Sequence, residues 1–182
     1  MINNTISVVI GSWGSYNECN ERALGSKWLD LNDYSDWEEI EEELQRQGFI
    51  LDGTDEELFI QDIEGIPTNS KNWDCCNPQT LFETLKEAEV LDDSYKYEVM
   101  CAYLEICDFD DFESLVISNG ANWDWDIYLY KNHNWYDLGY EFLHECNEIP
   151  DYLDNYIDYE RYGEELRFDG FHEYSEGIIE IR

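Results

Sequence analysis

The sequence predicts an α+β protein of three small modules in a row, elongated and acidic over its surface. In the first 66 residues, runs of strand length accompany a single amphipathic helix. After Pro67 the pattern turns helical, and it breaks again near Gly120. The 182 residues carry 44 Asp+Glu against 10 Lys+Arg, a formal charge of −34. These breaks divide the chain into 1–66, 67–118 and 119–182.

Residues 6–10 read as a strand, followed by a loop through Gly11, Gly14 and Gly25. Residues 27–31 form a second short strand. A helix follows, because Trp37, Ile40 and Leu44 recur at spacings of three and four, with Ser35 and Glu38 as its capping box. The opposite face is carboxylate: Glu38, Glu39, Glu41, Glu42 and Glu43. Glu38/Glu42 and Glu39/Glu43 are like-charge pairs one turn apart, each costing roughly 0.2–0.5 kcal/mol. Asp55, Glu56 and Glu57 precede a strand over 58–63.

Helices are expected over 78–90, 94–107 and 110–116, with Asp92, Asp93, Asp108, Asp110, Asp111 and Glu113 at or near their starts. Asp124 and Asp126 follow the Gly120 break. A helix is expected over 135–146, where Asp137, Glu141 and Glu145, with Glu148 just beyond, follow at four, four and three residues as a stripe. Asp151, Asp154 and Asp158 continue that rhythm in a helix from Pro150 to about residue 166, and 178–181 forms a last strand. Four long windows, 28–45, 47–70, 97–130 and 132–160, contain no Lys or Arg.

Such a charge repels nucleic acid and anionic membrane and attracts a basic partner surface or cations. With 7 Trp, 14 Tyr and 8 Phe spread along the chain, it is not a disordered acidic tail. The start lacks a basic signal-peptide region and no stretch approaches a membrane span, so a cytoplasmic location is expected. The six cysteines show no CxxC spacing and are expected to stay reduced. His133, His144 and His172 stand apart from any metal-ligand motif, and neither a Walker loop nor GxGxxG occurs. A calcium-like run from Asp30 to Glu41 has Tyr34 and Ser35 where the loop needs a ligand and a glycine. No catalysis, cofactor or dedicated metal site is therefore expected.

B-DNA carries about one charge per 1.7 Å of axis, so 34 charges correspond to about 58 Å of duplex, or roughly 17 base pairs. A compact chain of this length would be about 40 Å across. An elongated body would space its carboxylates more like phosphates, and self-repulsion is tolerable where the charge is the function. A carboxylate helix is then one segment of an imitation phosphate backbone, and the Asp and Glu residues named above from Glu38 to Asp158, Asp55 among them, are the candidate phosphate mimics that face a partner.

The sequence also resembles the ArdA antirestriction proteins carried by conjugative plasmids, transposons and phages. The likeness lies in the opening strand at 6–10, in Tyr16-Asn17-Glu18, and in the run from Gly25 to Leu31. It continues in Asp33-Tyr34-Ser35-Asp36, in Phe59-Ile60-Gln61-Asp62 leading to Gly65-Ile66-Pro67, in Ile149-Pro150, and in the run from Tyr156 to Glu160. It is strongest over the first 67 residues and over 149–182. Between about 70 and 118 it rests on acidity and helicity.

The resemblance implies a curved DNA mimic that dimerises through its C-terminal domain and acts in the bacterial host cytoplasm. It would fill the DNA-binding groove of type I restriction–modification enzymes, in their methyltransferase core, binding neither nucleic acid nor membrane itself. Extra residues around 19–23 and the unusual Trp and Cys content depart from the family and bear on target preference. Other readings are a mimic aimed at a CRISPR effector or a nucleoid protein, and an acidic protein that responds to calcium or is adapted to salt.

Overall fold

The computed structural model describes residues 5–49, 55, 57–67, 73, 76–146 and 149–182, with the backbone alone at Cys146 and Asp151. The chain is α+β and forms two compact units that meet between Trp123 and Asp124.

In the first unit, β1 (Ser7–Ser12) lies between β2 (Leu29–Asp30) and β3 (Leu58–Glu64), antiparallel to both, with a bulge against β3 between Val9 and Ile10. Residues 27–31 do not all extend. Leu31 turns into a 3-10 helix, its N–H donating to the Ile6 carbonyl while Asn32 Oδ1 accepts from Ile6 N–H. Where the sequence suggested a loop after β1, a short helix α1 (Trp13–Glu18) begins at once, because Ser12 Oγ caps Ser15 N–H. Cys19 ends it in the left-handed conformation at φ 50°. Trp13 stacks on Phe59 at 4.1 Å between centroids.

Helix α2 (Trp37–Arg46) buries Ile40 and Leu44, but its cap is one residue later than the sequence suggested. Asp36 accepts from Glu39 N–H, and Glu39 reaches back to Ser35 N–H at 2.7 Å. Ser35 and Asp36 have the same spacing to a first-turn N–H, and the Asp36 carboxylate adds a negative charge at the positive end of the helix dipole.

Helices α3 (Pro78–Glu87), α4 (Ser94–Ile106) and α5 (Phe109–Asn119) begin at Asn77, Asp93 and Asp108, whose side chains each accept a first-turn N–H. They enclose Phe82, Phe109, Phe112 and Trp123. The Trp123 ring meets Phe112 edge-on, and its indole N–H donates to the Ala88 carbonyl. Two hydrogen bonds fasten these helices to the preceding part of the unit: Asn32 Nδ2 to Leu91 O and Tyr97 OH to Gly65 O, both 2.7 Å.

In the second unit, β6 (Gly177–Ile181) is the central strand, antiparallel to β4 (Ile127–Lys131) and β5 (Phe171–Tyr174). Helix α6 (Trp135–Cys146) packs on it through Trp135 and Leu138, with Leu166, Phe171 and Ile178 completing the core. The long helix expected from Pro150 divides into α7 (Asp151–Asp154) and α8 (Tyr159–Glu165). Turn bonds at Tyr156 and Ile157 close the first piece, and Asp158 caps Arg161 N–H to start the second. Helices α6 and α8 touch through their backbones: a Cβ on Gly139 would fall 2.0 Å from Tyr159 O, and one on Gly163 would fall 1.9 Å from Trp135 O. Only glycine permits that approach.

Candidate functional site

The acids singled out in the sequence fall into several kinds of position. Glu38 and Glu42 on α2, Glu57, Asp110 and Asp111 on α5, Asp126 and Glu145 are exposed. A second set is exposed or half-buried but also holds the fold: Asp93, Asp108 and Asp158 accept from first-turn amides, while Asp137 and Glu39 reach back to the Asn134 and Ser35 N–H groups ahead of their helices. Asn134 and Asp137 cap α6 reciprocally, at 3.0 and 3.2 Å. Each such carboxylate sits where the helix dipole is positive, which stabilises it by about 0.3–1 kcal/mol.

Others have side-chain partners. Glu41 accepts from the Trp37 indole at 2.9 Å, Glu43 accepts from Gln47 and pairs with Arg46, and Asp92 lies 3.9 Å from Lys86 Nζ. Glu113 and Asp124 are half-buried. Glu56 and Glu148, and the side chain of Asp151, lie outside what the structure describes.

Asp55 is a correction. Its side chain is fully buried, accepting from Ser15 Oγ at 2.6 Å with Arg22 Nε 3.4 Å away. Ser15 Oγ in turn accepts from Asn20 and from Arg22 Nε, both at 3.2 Å. A charge this deep must be paired, and Asp55 anchors the loop after α1 instead of facing a partner.

On α6 the stripe stands on a richer surface. Asp137, Glu141 and Glu145 run beside a second row at the same spacing, Tyr136, Tyr140 and His144. The two tyrosine rings lie within 18° of parallel, 6.4 Å apart, and are 50% and 43% exposed. These residues border a groove of about 810 Å³ whose far edge is Lys131 to His133. Its signal was in the sequence: Tyr136, Tyr140 and His144 repeat every four residues, one position before the acids.

His133 Nδ1 lies 3.0 Å from the Lys131 carbonyl and Nε2 lies 2.9 Å from Glu141 Oε2. Both partners are acceptors, so the ring is suited to carry both protons. The Lys131 carbonyl most of all raises its pKa above the usual 6.5; burial opposes it by less, and Glu141 raises it further. Beside His144 of α6, Tyr159 OH at the start of α8 donates to Asp154 at 2.6 Å, so its oxygen accepts from His144 Nε2–H at 3.0 Å. Burial first, and then Asp154, push the Tyr159 phenol up to about 12.

By class this is an acidic α+β protein that carries many of its carboxylates at exposed helix positions. The chain belongs to the ArdA family of antirestriction proteins, whose family model matches residues 8–180. That match runs through the central helices, where the resemblance rested mainly on acidity and helicity. The family is one of inhibitors that act on type I restriction–modification enzymes. No curated protein matches the chain.

Proposed function

We propose that the chain inhibits type I restriction–modification enzymes by standing in for DNA, its carboxylates occupying the basic groove of the methyltransferase core. The carrying observation is the row Asp137, Glu141, Glu145 on one helix, repeated in Glu38 and Glu42 on α2. Residues four apart on a helix are separated by about 6 Å along its axis. Phosphates of one DNA strand rise about 3.4 Å each, so such a row matches roughly every second phosphate. Three modules with boundaries near 67 and 118, an extended particle and a dimer formed by the C-terminal unit belong to the same reading, because they spread the charge along a duplex-like length. Catalysis, nucleic acid and membrane have no part in it.

Inhibition should then sum over many weak contacts. Against a purified type I enzyme, Glu42→Gln, Glu141→Gln or Glu145→Gln alone should leave inhibition within about threefold of wild type. Neutralising Asp137, Glu141 and Glu145 together with Glu38 and Glu42 should abolish it. Duplex DNA should compete with the protein for the enzyme. A single exposed acid whose loss eliminates inhibition while fold and oligomer persist would sink distributed mimicry. A compact monomer by small-angle scattering, with a radius of gyration of about 16 Å, would sink the extended dimer.

A further inference from the structure

We infer that the tyrosine-lined groove on α6 is a seat for arginine: it takes the guanidinium of a basic partner segment, in preference to a lysine of the same charge. This rests on the DNA-mimic reading, which requires a basic partner but is indifferent to which cation supplies the charge.

The chain itself supplies the pattern. Arg182 lies 5.0 Å over the Tyr128 ring while pairing with Glu180, and Arg167 lies 4.5 Å over Trp135 while 3.8 Å from Glu173. Lys86 repeats it more loosely, 5.8 Å from the Phe82 centroid and 3.9 Å from Asp92. In each case a cation has an aromatic face on one side and a carboxylate on another, and the two arginines approach their rings more closely than the lysine does.

The α6 groove offers the complementary half of that arrangement. Tyr136 and Tyr140 present two exposed rings in nearly the same orientation, and Asp137, Glu141 and Glu145 follow them along the helix. Three carboxylates face one lysine, Lys131, so the lining is negative as long as either His133 or His144 is neutral. A planar guanidinium can lie on a ring and still direct its in-plane N–H groups to a carboxylate, which a compact, strongly hydrated ammonium does less well. His144 and Tyr159 hold the Tyr140 ring in place, at 4.1 and 5.1 Å between centroids, so its orientation is set before any partner arrives.

The test is calorimetric titration of the full chain with two unstructured peptides of equal length and charge, one built on arginine and one on lysine. The arginine peptide should bind about twofold to fivefold more tightly at matched salt, the ratio expected for a cation–π contact of about 0.5–1 kcal/mol. The preference should vanish in Tyr136→Leu/Tyr140→Leu and survive in Tyr140→Phe. Should the double variant fold poorly, the wild-type protein still decides: the arginine peptide should shift the ring resonances of Tyr136 and Tyr140 more than those of Tyr152 and Tyr156. Equal affinities, or larger shifts elsewhere, overturn the inference. So does a double variant that folds but has half the wild-type mass in sedimentation, because the surface then belongs to a second copy. Wild-type protein that competes with DNA for a type I enzyme yet shows no arginine preference leaves the mimic reading standing. Wild-type protein that does not compete removes that reading whatever the peptides show.

Discussion

His133 bridges the Lys131 carbonyl and the Glu141 carboxylate with its two ring nitrogens, and its pKa is raised in the folded protein. A raised folded pKa stabilises fully below the unfolded value of 6.5 and is lost as pH climbs through the folded one. Wild type should therefore exceed His133→Gln in stability at pH 5.5 and lose that margin by pH 8.5. With the ring one-third exposed, the margin should be at the low end of about 0.2–1 kcal/mol. Thermal melts at the two pH values measure it, and a histidine titrating below 6.5 by NMR would contradict it. Asp55 is the opposite case. Asp55→Ala removes the buried partner of Ser15 and Arg22 and should destabilise by about 3 kcal/mol in denaturant unfolding. Exposed Glu42→Gln should stay within about 0.5 kcal/mol of wild type.

Among elements, α2 separates two capping schemes. Asp36→Ala should cost about 1 kcal/mol of stability and Ser35→Ala much less; the reverse order would restore the cap suggested by the sequence. At the crossing of α6 and α8, Gly163→Ala must push a methyl into the Trp135 carbonyl, so the second unit should lose about 3 kcal/mol or more, read from exchange of its core amides. The long helices were legible because Leu81 and Leu85 declare one buried face on α3, while α4 is an unbroken helix-length run without Pro or Gly, started by Asp93 and buried on most sides. The strands β4 and β5 were not, although Ile127, Tyr128, Tyr130 and Phe171 are good strand formers, because runs of five and four residues are too short to declare a period and pairing with β6 decides their extension. Helix α1 was hidden behind Gly14, since its start depends on a serine cap rather than on periodicity. The acidic rows could be read from spacing alone, whereas the burial of Asp55 depends on Ser15 and Arg22, 40 and 33 positions earlier in the chain.

For the molecule as a whole, a charge of −34 should make salt act with opposite signs on folding and on binding. Screening relieves repulsion among the carboxylates, so the melting temperature should rise between 10 and about 150 mM NaCl. Binding to a basic groove should weaken steeply over the same range, because each ion contact returns counterions to solution. Calorimetric melts and inhibition measured in the same buffers provide the comparison. Two falling curves would point to a salt-sensitive fold rather than an electrostatic inhibitor.

The helix starts at Asp36, Asp93, Asp108 and Asp158 give these acids unequal freedom to vary. A capping carboxylate must reach a particular amide, so the extra methylene of glutamate is a disadvantage there, whereas an outward acid on α2 or α6 need only be negative and roughly in place. Random mutagenesis selected for inhibition should therefore leave two imprints. Aspartate should persist at the four helix starts, while Glu38, Glu42 and Glu145 drift between aspartate and glutamate or migrate by one helical turn. The chain can wander far in sequence while its electrostatic pattern stays nearly constant, which would let it follow a changing target without redesigning its fold.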